Sequence, residues 1–192
     1  IYSHGNGEDI GMLKDLLLSW KEPEWEIIAF DYPGYGLSEG KPSESGCYEA
    51  ISVVYEHLVE TLNRDSNRVI AWGRSLGTGP TSHLAATKPV GGIILESPFL
   101  SAFRSITQVP FFPWDRFPNY KHVQEIKCPS LVVHGYYDEV IPYRQGVSIF
   151  KALPEPKEFL KIEEGEHNNL PETGGELYQS SIRNFLKARV EG

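Results

Sequence analysis

The segment Gly73-Arg74-Ser75-Leu76-Gly77 constrains this chain more than any other. It follows a β-branched and aromatic run, residues 68–72, and opens a helix-forming stretch at 78–87, so the spacing predicts a strand, a sharp turn and a helix, as in a nucleophile elbow. A turn that tight leaves no room for Cβ atoms packed against the neighbouring strand and helix, which accounts for glycine two residues before and two after Ser75. Ser75 is therefore the candidate nucleophile. A surface serine in an ordinary loop can carry the same five-residue string; the flanking strand and helix argue against that reading.

An elbow serine needs a base and an acid, and in this architecture they follow it in the order acid, then histidine. Residues 131–135 read as a buried apolar strand, with Asp138 just beyond its carboxyl end. A second strand, 157–162, runs into a polar loop that carries His167. All three residues then sit on loops at the carboxyl ends of strands, the edge at which open parallel sheets build their sites.

Strand-like and helix-like segments alternate along the whole chain, which predicts an α/β fold with a mostly parallel sheet and helices on both faces. The expected strands are 1–5, 25–30, 68–72, 92–96, 131–135 and 157–162. The expected helices are 9–20, with Asp9 as N-cap, then 49–62, 78–87, 143–153 and 176–190. A Gly- and Pro-rich loop fills 31–46. With 192 residues and 40% hydrophobic side chains, the expectation is a single domain, residues 1–192. Ile1 to Gly5 looks like the tail of a strand already under way, so N-terminal strands are expected to be missing from this chain.

A formal charge of −8 with no basic cluster argues against nucleic-acid partners and polybasic membrane patches. Cys47 and Cys128 are far apart and, with six scattered histidines, show no metal-ligand spacing. No run approaches the roughly 20 apolar residues needed to cross a bilayer, and no signal peptide is expected among these residues. The expected setting is reduced and intracellular, cytoplasmic or peripheral at membranes.

The pattern breaks at 97–129, where Phe99, Phe103, Phe111, Phe112, Trp114, Phe117 and Tyr120 stand among prolines. This is where a cap would be inserted, and its length allows only a minimal one. Phe99, Phe111, Phe112 and Trp114 are candidates for substrate binding as an acyl-chain groove; filling gaps between helices and sheet is the competing reading.

His167 would take the Ser75 proton and return it to the leaving group, while Asp138 would fix the imidazole tautomer. The oxyanion donors would be the backbone N–H of Leu76, at the start of a helix, and that of Asn6 in the loop after the first strand. Glu96 also ends a strand and is the alternative acid; Asp138 is preferred because a full helix and strand separate it from His167. His4, His57, His83, His122 and His134 read as structural or surface, and Asp31 as organising its own turn. Ser3, Ser38 and Ser97 lack an elbow. No metal or organic cofactor is required.

These residues resemble the α/β-hydrolase superfamily, and within it the α/β-hydrolase domain-containing proteins of the seventeen type, with the thirteen type near by. The similarity runs almost end to end, through Ser3-His4-Gly5-Asn6, residues 9–11, residues 31–38, Gly73 to Thr78 with Pro80-Thr81, Glu96-Ser97-Pro98-Phe99, Phe117-Pro118-Asn119, His134-Gly135, Asp138-Glu139-Val140 and His167-Asn168. The resemblance implies the α/β-hydrolase fold and a serine hydrolase with Ser75, Asp138 and His167 as nucleophile, acid and base. It implies removal of palmitate from cysteine thioesters on membrane-associated proteins, and two or more strands ahead of the first one in this chain. The seventeen type is held at membranes by an N-terminal lipidated cysteine cluster. This chain contains none, so membrane association would come only through a segment outside it. Two positions depart from the family pattern: Glu166 stands where Gly is common, and Asn169 where Asp is frequent.

The expected function is hydrolysis of acyl thioesters or esters through an acyl-enzyme, with acylated proteins or small acyl esters as substrates and depalmitoylation as the preferred activity. A lipase or small-molecule carboxylesterase is the alternative. A non-catalytic binding module on the same fold is the alternative of another class.

Overall fold

The computed structural model describes residues 1–101 and 117–190. Of the aromatic stretch, Phe103, Phe111, Phe112 and Trp114 lie outside the described residues. Five strands form one sheet in the order β1 (Tyr2–Ser3), β2 (Ile70–Arg74), β3 (Gly92–Glu96), β4 (Ser130–Gly135) and β5 (Lys157–Ile162). Each is parallel to its neighbours.

The three central strands are apolar almost without interruption because both of their faces are covered. Alternation sends Ala71, Ile93, Leu95 and Val132 to one face, where α2 (Glu44–Glu56), α3 (Thr78–Thr87) and α4 (Tyr143–Ala152) bury Ile51, Tyr55, Leu84 and Ile149. Trp72, Ile94, Leu131 and Val133 go to the other, against Trp20, beside α1 (Lys14–Ser19), and Tyr178, Ile182 and Phe185 of α5 (Leu170–Val190). Helix α2 presents Cys47, Ile51 and Tyr55 inward at intervals of four, one stripe of a helical surface. Among the described residues, no helix is long and apolar enough to cross a membrane.

The register aligns Ser3 with Gly73, Arg74 with Glu96, and Gly135 with Ile162, so the strands end along one edge and the loops that follow them share it. Above that edge lies a third core of Tyr32, Cys47, Phe99, Phe117 and Ile141. Phe99 is 3% exposed and packs edge-on to Phe117.

Several expected boundaries are corrected. Residues 25–30 form no strand: Tyr2 pairs with Ala29 in an isolated bridge and donates its N–H to the Ile28 carbonyl at 2.8 Å, all that a two-residue β1 can support. The first helix begins at Lys14, not Asp9; the Asp9 carboxylate instead closes a turn on the Met12 N–H at 2.9 Å, ahead of the helix. Helix α2 begins at Glu44 because Ser43 Oγ caps the Gly46 N–H at 3.0 Å, and it ends in a π-helical turn, His57–Thr61. Helix α5 starts at Leu170, six residues before the expected point, and kinks at Gly175, whose φ is 48°.

Candidate active site

Ser75 has a φ of 51°, in the left-handed region that a non-glycine residue avoids unless its surroundings impose it. The imposition is visible in its glycines. A Cβ on Gly73 would strike the Gly77 carbonyl and Thr81 Oγ1, and a Cβ on Gly77 would strike the Ser3 carbonyl. The Gly77 contact also seats the elbow against the end of β1, next to the loop that carries Asn6. Thr78 Oγ1 donates to the Ser75 carbonyl at 2.7 Å and fixes the turn from the helix side.

The structure brings Ser75, His167 and Asp138 into one hydrogen-bonded line. Ser75 Oγ lies 3.1 Å from His167 Nε2, and His167 Nδ1 lies 2.8 Å from Asp138 Oδ2 and 3.0 Å from Oδ1. An ionised carboxylate only accepts, so Nδ1 carries the proton and Nε2 turns its lone pair to the serine hydroxyl. Asp138 Oδ1 accepts further from the Val140 and Ile141 N–H groups at 3.0 and 2.7 Å, while His134 Nε2 stands 3.4 Å from Oδ2. Burial acts to raise the Asp138 pKa, but the bonds from His134, His167 and Ile141 outweigh it and hold the carboxyl well below the usual carboxylate range. Such a line can accept the serine proton and stabilise the resulting imidazolium.

Glu96, the alternative acid, is engaged elsewhere. Its Oε1 accepts from Trp72 Nε1 at 2.8 Å and Tyr178 Oη at 2.7 Å, a polar tie between sheet and α5. Its pKa is raised because burial outweighs those bonds.

In the loop after β1, the Gly5 N–H donates to Glu8 Oε2 at 2.6 Å and Asn6 Oδ1 accepts from Tyr35 Oη at 2.7 Å. Among the turn and loop hydrogen bonds of the described residues, neither the Asn6 nor the Leu76 N–H is a donor. His4 and Asp31 brace the same loop: His4 Nε2 is 3.4 Å from Asp31 Oδ1, which accepts the Ile10 N–H at 2.9 Å. His83 and His122 cluster with Tyr48, which stacks on His83 at 4.0 Å, and burial foremost pushes the His122 pKa down to about 4.

Sequence reasoning missed Arg74 and Glu8. The Arg74 guanidinium pairs with Glu8 and also donates to the His167 carbonyl at 3.1 Å and to Asn168 Oδ1 at 2.8 Å. The elbow pattern leaves the position before the serine unspecified, and nothing in the sequence links it to a residue 66 positions away. Glu166 and Asn169, the two departures from the family pattern, bond to each other: the Glu166 N–H donates to Asn169 Oδ1 at 2.7 Å and Asn169 Nδ2 to Glu166 Oε2 at 3.3 Å.

The profile of the family described as "Serine aminopeptidase, S33" matches residues 1–114. Among curated proteins, the alpha/beta hydrolase domain-containing protein aho-3 of Caenorhabditis elegans is 33% identical over 97% of this chain and 56% of its own length. The alpha/beta hydrolase domain-containing protein 17B of Homo sapiens is 33% identical over 99% of this chain and 66% of its own. The chain thus spans between about half and two thirds of the length of these relatives. Among solved structures, a monoacylglycerol lipase from Paleococcus ferrophilus superposes with a TM-score of 0.72 at 21% identity, covering 96% of this chain and 92% of that one. An esterase from Pyrococcus furiosus gives 0.78 at 16% identity, covering 98% and 82%. Parallel sheet, elbow and relatives agree: the chain has the α/β-hydrolase fold and belongs to the α/β-hydrolase family described as serine aminopeptidase S33, alongside relatives of the domain-containing seventeen type.

Proposed function

We propose that this chain is a single-domain serine hydrolase that cleaves acyl thioesters or esters through an acyl-enzyme on Ser75. The observation that carries the reading is the unbroken line from Ser75 Oγ through His167 to Asp138, on a serine held at a φ of 51°. His167 Nε2 takes the hydroxyl proton as Oγ bonds to the acyl carbonyl carbon. The Asn6 and Leu76 N–H groups receive the oxyanion, and loss of one such donor costs about 3–4 kcal/mol of transition-state stabilisation. Collapse breaks the bond to the leaving thiol or alcohol, which departs with the proton from Nε2. Water, deprotonated by the same nitrogen, then adds to the acyl-enzyme and releases a fatty acid and free Ser75.

Protein depalmitoylation is the finer reading. Its support is the resemblance to the seventeen type and the aromatic run Phe111, Phe112 and Trp114, the proposed acyl groove, which lies outside the described residues. Replacing Phe111 and Phe112 with Ala then weakens long-chain substrates more than acetyl ones.

The test is covalent labelling by a fluorophosphonate, with Ser75→Ala beside it and the modified peptide mapped by mass spectrometry. Labelling confined to Ser75 is expected. Palmitoyl thioester and oxygen ester with matched chains then separate a thioesterase from a lipase or carboxylesterase. An unlabelled, well-folded protein would favour a binding module.

A further inference from the structure

We infer that Arg74, the residue before the nucleophile, is a positioning residue that fixes the oxyanion loop against the His167 loop through Glu8. The inference rests on Ser75, Asn6 and His167 acting together in acyl transfer.

Arg74 ends β2, yet its side chain is only 14% exposed, and that of Glu8 only 19%. The guanidinium spans two loops that do not otherwise share a strand. One terminal nitrogen donates to Glu8 Oε1, and the other to the His167 carbonyl and to Asn168 Oδ1. The second Glu8 oxygen accepts the Gly5 N–H at 2.6 Å, one residue before the proposed oxyanion donor. A continuous path therefore runs from the backbone of the base, through Arg74 and Glu8, to the backbone of the oxyanion loop. The planar fork of arginine suits this task, because it serves acceptors in two directions from one rigid group where a lysine offers a single point charge.

Charge supplies a second reason. The Glu8 carboxylate stands beside the loop whose N–H must receive a developing negative charge, and unpaired it would oppose that charge in a site of low dielectric. Arg74 cancels it. Neutralising that carboxylate is a role separate from the stability of the pair, since a buried pair adds little net stability once desolvation is counted.

The test compares Arg74→Ala, Arg74→Lys, Glu8→Gln and the double variant Arg74→Ala with Glu8→Gln. Readouts are fluorophosphonate labelling rate at Ser75, kcat and KM on a short p-nitrophenyl ester, and Tm. Arg74→Ala should lower kcat and labelling roughly 10- to 100-fold, the scale of a small misplacement of reacting groups. KM should move by less than about threefold, because the interaction acts in the transition state. The double variant should lose less than Arg74→Ala, since it no longer leaves an unpaired carboxylate. Guanidinium ion below denaturing concentration should restore part of the rate to Arg74→Ala and nothing to wild type. If Arg74→Ala fails to fold, Arg74→Lys carries the same expected split between kcat and KM. Wild-type labelling and kcat in Arg74→Ala would overturn the positioning role and leave the proposed function standing. A loss matched by the fall in folded fraction, without guanidinium rescue, would also overturn it. Absence of labelling in the wild type would overturn both readings together.

Discussion

Asp138 and Glu96 are buried carboxylates at the ends of adjacent strands, and their surroundings send them in opposite directions. Asp138 faces histidines and two backbone N–H groups, which outweigh its burial and keep it ionised. Glu96 is buried more completely, and burial outweighs the Tyr178 and Trp72 donors and the nearby charge of Arg74, so its pKa rises. Position on the sheet edge made both of them candidate acids; the donors around each decide which can hold an imidazole and which ties α5 to the sheet.

The largest effect that can break this contrast is on turnover. Asp138→Asn should retain the fold and lower kcat by roughly 10⁴-fold, because the imidazole loses its anionic orienter; steady-state kinetics at neutral pH checks it, and full activity would return the acid role to Glu96. Glu96→Gln, by contrast, should leave turnover unchanged.

The next effect is on stability against pH. The Asp138 pKa is depressed on folding, so its contribution is present above the usual carboxylate range and is lost as pH falls through the folded value. The Glu96 pKa is raised on folding, so its contribution is complete below the usual range and is lost as pH rises through the folded value. Thermal melts across pH should show Asp138→Asn flattening the acid limb and Glu96→Gln removing the decline on the rising side.

Smaller still, Tyr178→Phe deletes one donor to Glu96 and should cost about 1 kcal/mol, with that decline shifted to higher pH; chemical denaturation at two pH values measures both. The smallest change concerns a third, exposed carboxylate on the same edge. Asn169→Asp places a like charge against Glu166 and should shift Tm by less than about 2 °C in calorimetry, as surface charge pairs do.

Much of this was legible in the sequence because it depends on local periodicity. The short, largely apolar runs at 92–96 and 131–135 fitted strands buried on both faces, and the glycines around Ser75 fitted a turn without space for side chains. The order of Ser75, Asp138 and His167 fitted loops at strand ends, and the structure brings those three side chains together. Contacts between distant segments left no such trace. Arg74 and Glu8 meet only after β1 and β2 pair. Residues 25–30 have strand composition but face a two-residue β1. The Ser43 cap was readable, since a serine before an amphipathic run is a start signal, yet the glycines and prolines ahead of it argued for loop.

The described residues on either side of 102–116 are fastened to the body of the protein. The Leu100 N–H donates to Gln145 Oε1 at 2.9 Å, its carbonyl accepts the Tyr120 N–H at 3.1 Å, and the Phe117 N–H donates to Glu44 Oε1 at 2.8 Å. Those bonds make a pair of neighbouring posts that belong to the framework and not to the chain between them. Because the entropic cost of closing a chain over fixed ends rises only slowly with its length, posts of this kind place little limit on the size of the segment they carry. Glu44 and Gln145, which hold the posts, lie on α2 and α4 and not on the elbow, so the anchorage of that segment and the alignment of the reacting groups rest on separate parts of the framework.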